Sequence, residues 1–148
     1  MTDTAFDAAG FVTFDLDTGQ IRSRGRDRLA LVPVDLVAAI EPGERLDRLA
    51  RQWGAWHGAR LAEAVDDATP VEALAEHLGG ALTVLGFGRA GIEIRGDALL
   101  VRLRPSDADA AAAPGRRALV AGFVSGYLSA LGDGGLEAMH LCDRSEER

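Results

Sequence analysis

Alternating apolar and polar positions predict two β-hairpins. Residues 11–17 alternate weakly and end at Thr18-Gly19, a turn signal, after which residues 20–22 can return as a second strand. Residues 92–94 and 99–103 alternate in the same way across a Gly-Asp turn. In each case the two short strands are close enough in sequence to pair antiparallel.

Apolar residues at helical spacing predict three longer helices. The first covers residues 44–65, the second begins at Thr69-Pro70, and the third covers residues 117–131. A hydroxyl cap, a proline at the first helical position and a glutamate able to complete a capping box mark the start of the second helix. Gly86 or Gly88 is expected to end it, because glycine readily adopts the left-handed conformation of a helix C-terminus.

Together these elements predict an α+β fold, in which an antiparallel sheet of hairpins packs on two or three helices. A single domain is expected over residues 11–142, between a flexible N-terminus at residues 1–10 and a charged tail at residues 143–148. A short helix over residues 34–40 and a last strand over residues 136–141 complete the predicted elements.

Two of the predicted helices carry a row of small residues at every fourth position. The rows are Ala50, Gly54, Gly58 and Ala62, and Ala118, Gly122, Gly126 and Ala130. Glycine inside a helix is about 1 kcal/mol less favourable than alanine, so close contact with another backbone should compensate. The first interpretation is that the two helices cross each other, or the sheet, within one chain. The alternative is that one row forms a subunit contact or the floor of a pocket for a flat apolar ligand. Gly54, Gly58 and Gly126 are then a candidate subunit interface, and Gly122 a candidate pocket floor.

Aromatic residues on the first long helix define a candidate ligand pocket. Trp53, Trp56 and His57 lie together there, and Arg60 lies one turn after Trp56, where its guanidinium can stack on the indole. Such a group can line an aromatic cavity with the histidine as its polar anchor, and we add Tyr127 of the last helix to it. The alternative is that the two tryptophans simply pack in the core.

The charge of the chain limits its partners. The formal net charge is −7, and all sixteen cations are arginines. Such a balance argues against broad contact with nucleic acid or an anionic membrane.

A row of arginines lies near the N-terminus: Arg22, Arg24, Arg26 and Arg28 recur at period two, on one side of an extended segment. They either protect a solvated sheet edge or bind an acidic partner through guanidinium–carboxylate bonds, which makes them candidate interface residues.

No pattern in the sequence indicates catalysis, a cofactor or a metal. The three histidines are isolated, and the single cysteine, Cys142, excludes an internal disulfide and a thiolate zinc cage. Ser125 lies within a predicted helix rather than on the strand-to-helix turn that presents a nucleophile. Because no catalytic pattern is found, we expect a protein that is not an enzyme. Because the sequence has no apolar signal segment and no membrane-spanning run, we expect it to be cytoplasmic.

Glycine and apolar positions in the second half of the chain carry a family resemblance. The matching segments are the capped helix and residues 86–94, 99–103, 121–131 and 136–142, so that the likeness covers roughly residues 45–142. They resemble the 4-vinyl reductase-type hydrocarbon-binding domain, which is related in fold to subunits of the trafficking (TRAPP) complexes. The resemblance implies an α+β homodimer that senses or holds an apolar small molecule. Its zinc-binding cysteines, which follow the position of Cys142, have no counterpart here.

A second resemblance leads to a different function. Chain length, the helix around Trp53–Leu61, the segment 78–93 and the helix over 122–131 are similar to the small D-type accessory protein of bacterial cellulose synthase. That resemblance implies a ring-like homo-oligomer that acts as a scaffold. The sequence therefore leaves two functions open, a ligand-binding or sensory module acting as a homodimer and an oligomeric scaffold.

Overall fold

A computed structural model of the chain describes residues 6–23, 27–30, 32, 36–37, 39–65, 69–95, 98–104 and 113–132. These residues belong to two compact units, each built from two stretches of sequence. The first unit is Met1–Leu36 with Ala68–Ala108, and the second is Val37–Asp67 with Asp109–Arg148. The mixed α+β class is confirmed, whereas the single domain over residues 11–142 stays a prediction.

The described elements of the first unit are two helices and two small antiparallel sheets. They are helices α1 (Ala8–Phe11) and α3 (Val71–Val84) and strands β1 (Val12–Asp15), β2 (Gln20–Ser23), β3 (Asp27–Leu29), β4 (Arg89–Arg95) and β5 (Ala98–Arg104). The second unit contains helices α2 (Glu44–Ala62) and α4 (Pro114–Leu131). No described helix combines the length and the apolarity needed to cross a membrane.

The N-terminal hairpin is confirmed and gains a third strand. Strands β1, β2 and β3 lie in that order, and Gly19, between β1 and β2, has φ of +64°. The chain reverses after Ser23, so that Arg22 lies directly opposite Arg28 on the neighbouring strand. The arginines therefore do not continue along one extended segment as predicted, because a hairpin separates Arg22 from Arg28. Arg24 and Arg26 lie outside the described residues.

A carboxylate organises the turn between β1 and β2. Asp15 accepts hydrogen bonds from the Thr18 hydroxyl at 2.6 Å and from the backbone N–H groups of Thr18 and Asp17 at 3.1 Å each. The Thr18 hydroxyl above all holds the pKa of the Asp15 carboxyl below its ordinary value, since these donors favour the charged form. The aspartate thus makes local bonds that compete with continued strand pairing.

One helical turn near the N-terminus was not predicted. Asp7 is the N-cap of α1 and accepts a hydrogen bond from the Ala9 N–H at 3.0 Å. Phe11 ends this turn and is buried, and its ring centroid lies 5.4 Å from that of Phe6. The Phe6 ring lies 5.8 Å from the His77 ring on α3, so this part of the predicted flexible N-terminus packs against a helix.

Helix α3 starts one residue later than predicted and ends as predicted. Pro70 occupies the N-cap position rather than the first helical position. At the other end, the Phe87 N–H bonds to the Leu82 carbonyl and the Gly86 N–H to the Thr83 carbonyl. Gly86 has φ of +82°, so this is a Schellman ending, which requires a residue that tolerates the left-handed region.

The second hairpin packs on α3 through its apolar face. Leu78 and Leu82 of α3 are fully buried, and a Cβ atom at Gly79 would meet the Ala90 carbonyl oxygen of β4 at 3.5 Å. Val101 of β5 is buried as well. The hairpin is longer than predicted at both ends, because alternation continues into flanking arginines that face away from the apolar side.

Several predictions concern residues outside the described part of the chain. They are most of the helix over 34–40, the turn at residues 96–97, the strand over 136–141, Cys142, and the charged tail at 143–148.

Candidate functional site

The two helices of the second unit pack through their small-residue rows. A Cβ atom at Gly54 would lie 2.7 Å from the Phe123 carbonyl carbon, and one at Gly126 would lie 2.7 Å from that of Arg51. Both distances are far below van der Waals contact, so only glycine allows the backbones to come this close. The rows therefore meet within one chain, which was the first of the interpretations of their spacing.

This packing decides where the remaining row residues lie. A Cβ atom at Gly58 would overlap the Tyr127 carbonyl oxygen, and one at Gly122 would lie 2.6 Å from the Ala50 Cβ. Helix α2 thus fills the space in front of Gly122. Gly122 therefore faces the backbone of α2 and not the aromatic residues that were predicted to share a pocket with it. Gly54, Gly58 and Gly126 likewise contact the opposite helix of the same chain. A role for them in a subunit interface stays a prediction.

Aromatic side chains flank this contact on α2. Trp53, Trp56 and His57 follow a helical spacing of three and four residues, which places them on one side of the helix. The His57 ring centroid lies 5.9 Å from that of Trp53 and 5.7 Å from that of Trp56. The structure therefore brings together the three residues of α2 that were predicted to line a pocket.

Helix α4 contributes two further rings. Phe123 packs edge-on against Trp53 with centroids 4.9 Å apart, and its ring lies 5.7 Å from that of His57. Tyr127, one turn later, lies 6.0 Å from Phe123. We call these five residues the aromatic cluster. Sequence reasoning missed Phe123, although its spacing of four residues from Tyr127 on a predicted helix was a usable signal.

The aromatic cluster extends from the core to the surface. Phe123, Tyr127 and His57 are buried, Trp53 is half-buried, and Trp56 is 38% exposed. The chain has two tryptophans, one tyrosine and five phenylalanines, so half of these aromatic residues lie in the aromatic cluster. The arrangement offers an exposed aromatic surface at Trp56 above a buried base of His57, Phe123 and Tyr127.

A cation lies beside the exposed part of the aromatic cluster. The Arg60 guanidinium carbon is 5.9 Å from the centre of the Trp56 ring, which confirms the predicted stacking. A cation at this distance contributes about 0.5–1 kcal/mol at an exposed site. Arg60 therefore helps to hold the indole of Trp56 and places hydrogen-bond donors over its ring.

A polar link joins the two helices along the same contact. Arg51 pairs with Asp47, four residues earlier on α2, at 2.8 Å and also donates to the hydroxyl of Ser125. Ser125 is buried within α4, and its carbonyl accepts a hydrogen bond from Ser129 at 2.8 Å. A hydroxyl that is buried and occupied by a guanidinium does not have the geometry of a nucleophile. Its position within a helix was predicted correctly.

The remaining predicted site residues lie in the first unit. Arg22 donates from Nε to the Gln20 side-chain carbonyl at 3.0 Å, and Arg28 lies opposite it. In the part of the chain that the structure describes, no group of three or more histidine, cysteine, aspartate or glutamate residues has a metal-binding arrangement.

Comparison with known proteins gives no relative. No family model, curated protein or solved structure matches the chain. The described residues form a mixed α+β protein with an aromatic cluster on a helix pair that packs through glycines.

Proposed function

We propose that the chain is a non-catalytic module that binds a flat, apolar small molecule at the aromatic cluster and acts as a homodimer. The observation that supports this most directly is the exposed Trp56 ring, which contacts His57 and through it the half-buried Trp53 and the buried Phe123. Aromatic faces with a few polar groups at their edge are typical of small-molecule sites. The function agrees with the resemblance to hydrocarbon-binding domains.

The contribution of Trp56 to the free energy of binding can be estimated from the surface that a ligand would cover. A tryptophan side chain has about 250 Å² of surface, of which a ligand can cover the exposed part. At about 25 cal/mol per Å², covering that part contributes about 2 kcal/mol, or about thirtyfold in Kd. We therefore expect Trp56→Ala to weaken the binding of N-phenyl-1-naphthylamine, an uncharged apolar dye, by about this factor.

Binding is measured by the rise in dye fluorescence in an apolar environment, and the comparison of variants shows whether the dye binds at the aromatic cluster. Leu100→Ala is the matched control, because Leu100 is 38% exposed like Trp56 but lies on β5. The control should bind the dye with the wild-type Kd. The proposal is wrong when the dye does not bind saturably to the wild type, or when both variants bind it equally well.

A second function, an oligomeric scaffold, is favoured by two exposed apolar residues on α2. Leu49 is 51% exposed, and Trp56 lies seven residues later on the same side of the helix. Oligomers commonly bury such residues between subunits. If the chain is a scaffold, light scattering should give a defined mass above that of a dimer, and Leu49→Glu should reduce it. A dimer whose mass is unchanged by Leu49→Glu supports the ligand-binding module instead.

A further inference from the structure

The exposed face of the β4–β5 hairpin concentrates positive charge in a protein whose net charge is −7. Alternation along the strands and the pairing register place five charged residues on the face opposite to the buried Val101. They are Arg89, Glu93, Arg95, Arg102 and Arg104. Four arginines against one glutamate leave a local net charge of +3. All four arginines are exposed.

The single glutamate of this face is already shared by two arginines. Arg95 and Arg102 each approach one carboxylate oxygen of Glu93 at 2.9 Å. Arg89 lies directly opposite Arg104, where their Cβ atoms are about 5 Å apart. No ion pair to Arg89 or Arg104 occurs among the described residues. Within the part of the chain that the structure describes, the end of the hairpin at Arg89 and Arg104 therefore carries unbalanced charge.

Like charges directly opposite each other destabilise a sheet. Because both side chains are exposed, packing does not require arginine at either position. The next pair along the hairpin is Gly91 and Arg102. A Cβ atom at Gly91 would meet only the Arg102 carbonyl oxygen, at 4.0 Å, so the strand surface there is open. Three arginines, Arg89, Arg102 and Arg104, border this open gap of about two residues, or about 7 Å. The Glu93 carboxylate that pairs with Arg102 lies at its other end.

We propose that Arg89, Gly91, Arg102 and Arg104 form a binding site for the phosphate group of a small molecule. A phosphate offers more acceptor oxygens than a carboxylate, and each guanidinium can donate two parallel hydrogen bonds to it. The size of the gap fits one such group. The net charge of −7 repels a long polyanion, whereas a small anion responds mainly to charges within the Debye length of about 8 Å.

This site is independent of the aromatic cluster, since it lies on the first unit and involves none of its residues. The test uses pyrophosphate and the full chain, with sodium chloride adjusted to constant ionic strength. Wild-type protein should bind pyrophosphate saturably in calorimetry, and its melting temperature should rise with pyrophosphate concentration. Arg89→Gln or Arg104→Gln should each weaken binding about tenfold, because each removes a charge-assisted hydrogen-bonding group.

Two further variants distinguish specific binding at this site from nonspecific attraction of pyrophosphate to exposed arginines. Arg45→Gln with Arg48→Gln removes two exposed arginines of α2 and should leave the Kd unchanged. Gly91→Thr keeps all charges and has room to fold, yet should weaken binding by covering the gap. The proposal fails if Arg89→Gln with Arg104→Gln binds pyrophosphate like the wild type. It also fails if chloride stabilises the protein equally, or if a hexaglutamate peptide binds and pyrophosphate does not.

Discussion

Gly126→Ala should lower the free energy of unfolding by about 3 kcal/mol, although alanine is the better helix former. The added Cβ would overlap the Arg51 carbonyl oxygen and lie 2.8 Å from its Cα. These are backbone atoms inside α2, so they cannot move aside as a flexible side chain could. The two helices must separate, and the contacts along their whole length weaken with them. Urea denaturation followed by circular dichroism measures the loss.

Gly79→Ala is the matched control for this substitution. Gly79 also lies inside a helix and is also buried, but its nearest neighbour would be the Ala90 carbonyl oxygen at an ordinary contact distance of 3.5 Å. Here only the helix propensity changes, and we expect the free energy of unfolding to rise by about 0.5–1 kcal/mol. Opposite signs for the same change in two helices would establish the backbone contact. Equal effects would contradict it.

Phe123→Ala should lower the free energy of unfolding by about 4 kcal/mol. The Phe123 side chain is fully buried and packs against rings of both helices. The centroid of its ring lies 4.9 Å from that of Trp53 and 6.0 Å from that of Tyr127. Removing it leaves a cavity in the aromatic cluster, which adds to the lost transfer free energy. Tryptophan fluorescence should change in the folded variant, because Trp53 loses its neighbour.

The control for Phe123 is another phenylalanine of the same chain. Phe14 is 60% exposed on β1, so Phe14→Ala should change the free energy of unfolding by no more than about 0.5 kcal/mol. Phe123→Leu keeps most of the volume and should cost about 1 kcal/mol. Equal stability of Phe123→Ala and Phe14→Ala would contradict the burial of Phe123 in the aromatic cluster.

Local signals in the sequence predicted most of the helices and hairpins. The helix over 44–65 is found at Glu44–Ala62, and Gly86 ends α3 as expected. These features depend on neighbours within one or two turns, through periodicity and capping. The hairpin at β4 and β5 was also predicted, because alternation and a turn signal are local in the same sense.

The candidate sites could be predicted only in part. The three aromatic residues of α2 follow from their spacing on one helix, but Phe123 joins them from α4 and was missed. The arginines on β2 and β3 were recognised as a charged group, yet the reversal of the chain that sets Arg22 opposite Arg28 was not. In both cases the deciding partner lies on another element, so neither spacing nor charge along one segment identifies it.

By itself, the sequence determined that two helices carry small residues on one side and that one of them carries tryptophans. It could not determine what those sides contact, since a glycine row packs equally well against a helix, a sheet or a subunit. The tertiary structure decided this by bringing α2 and α4 together, with Arg51 bonded to Ser125 across 74 residues of chain. Periodicity is encoded within each helix, whereas the pairing of surfaces depends on the shape of both partners at once.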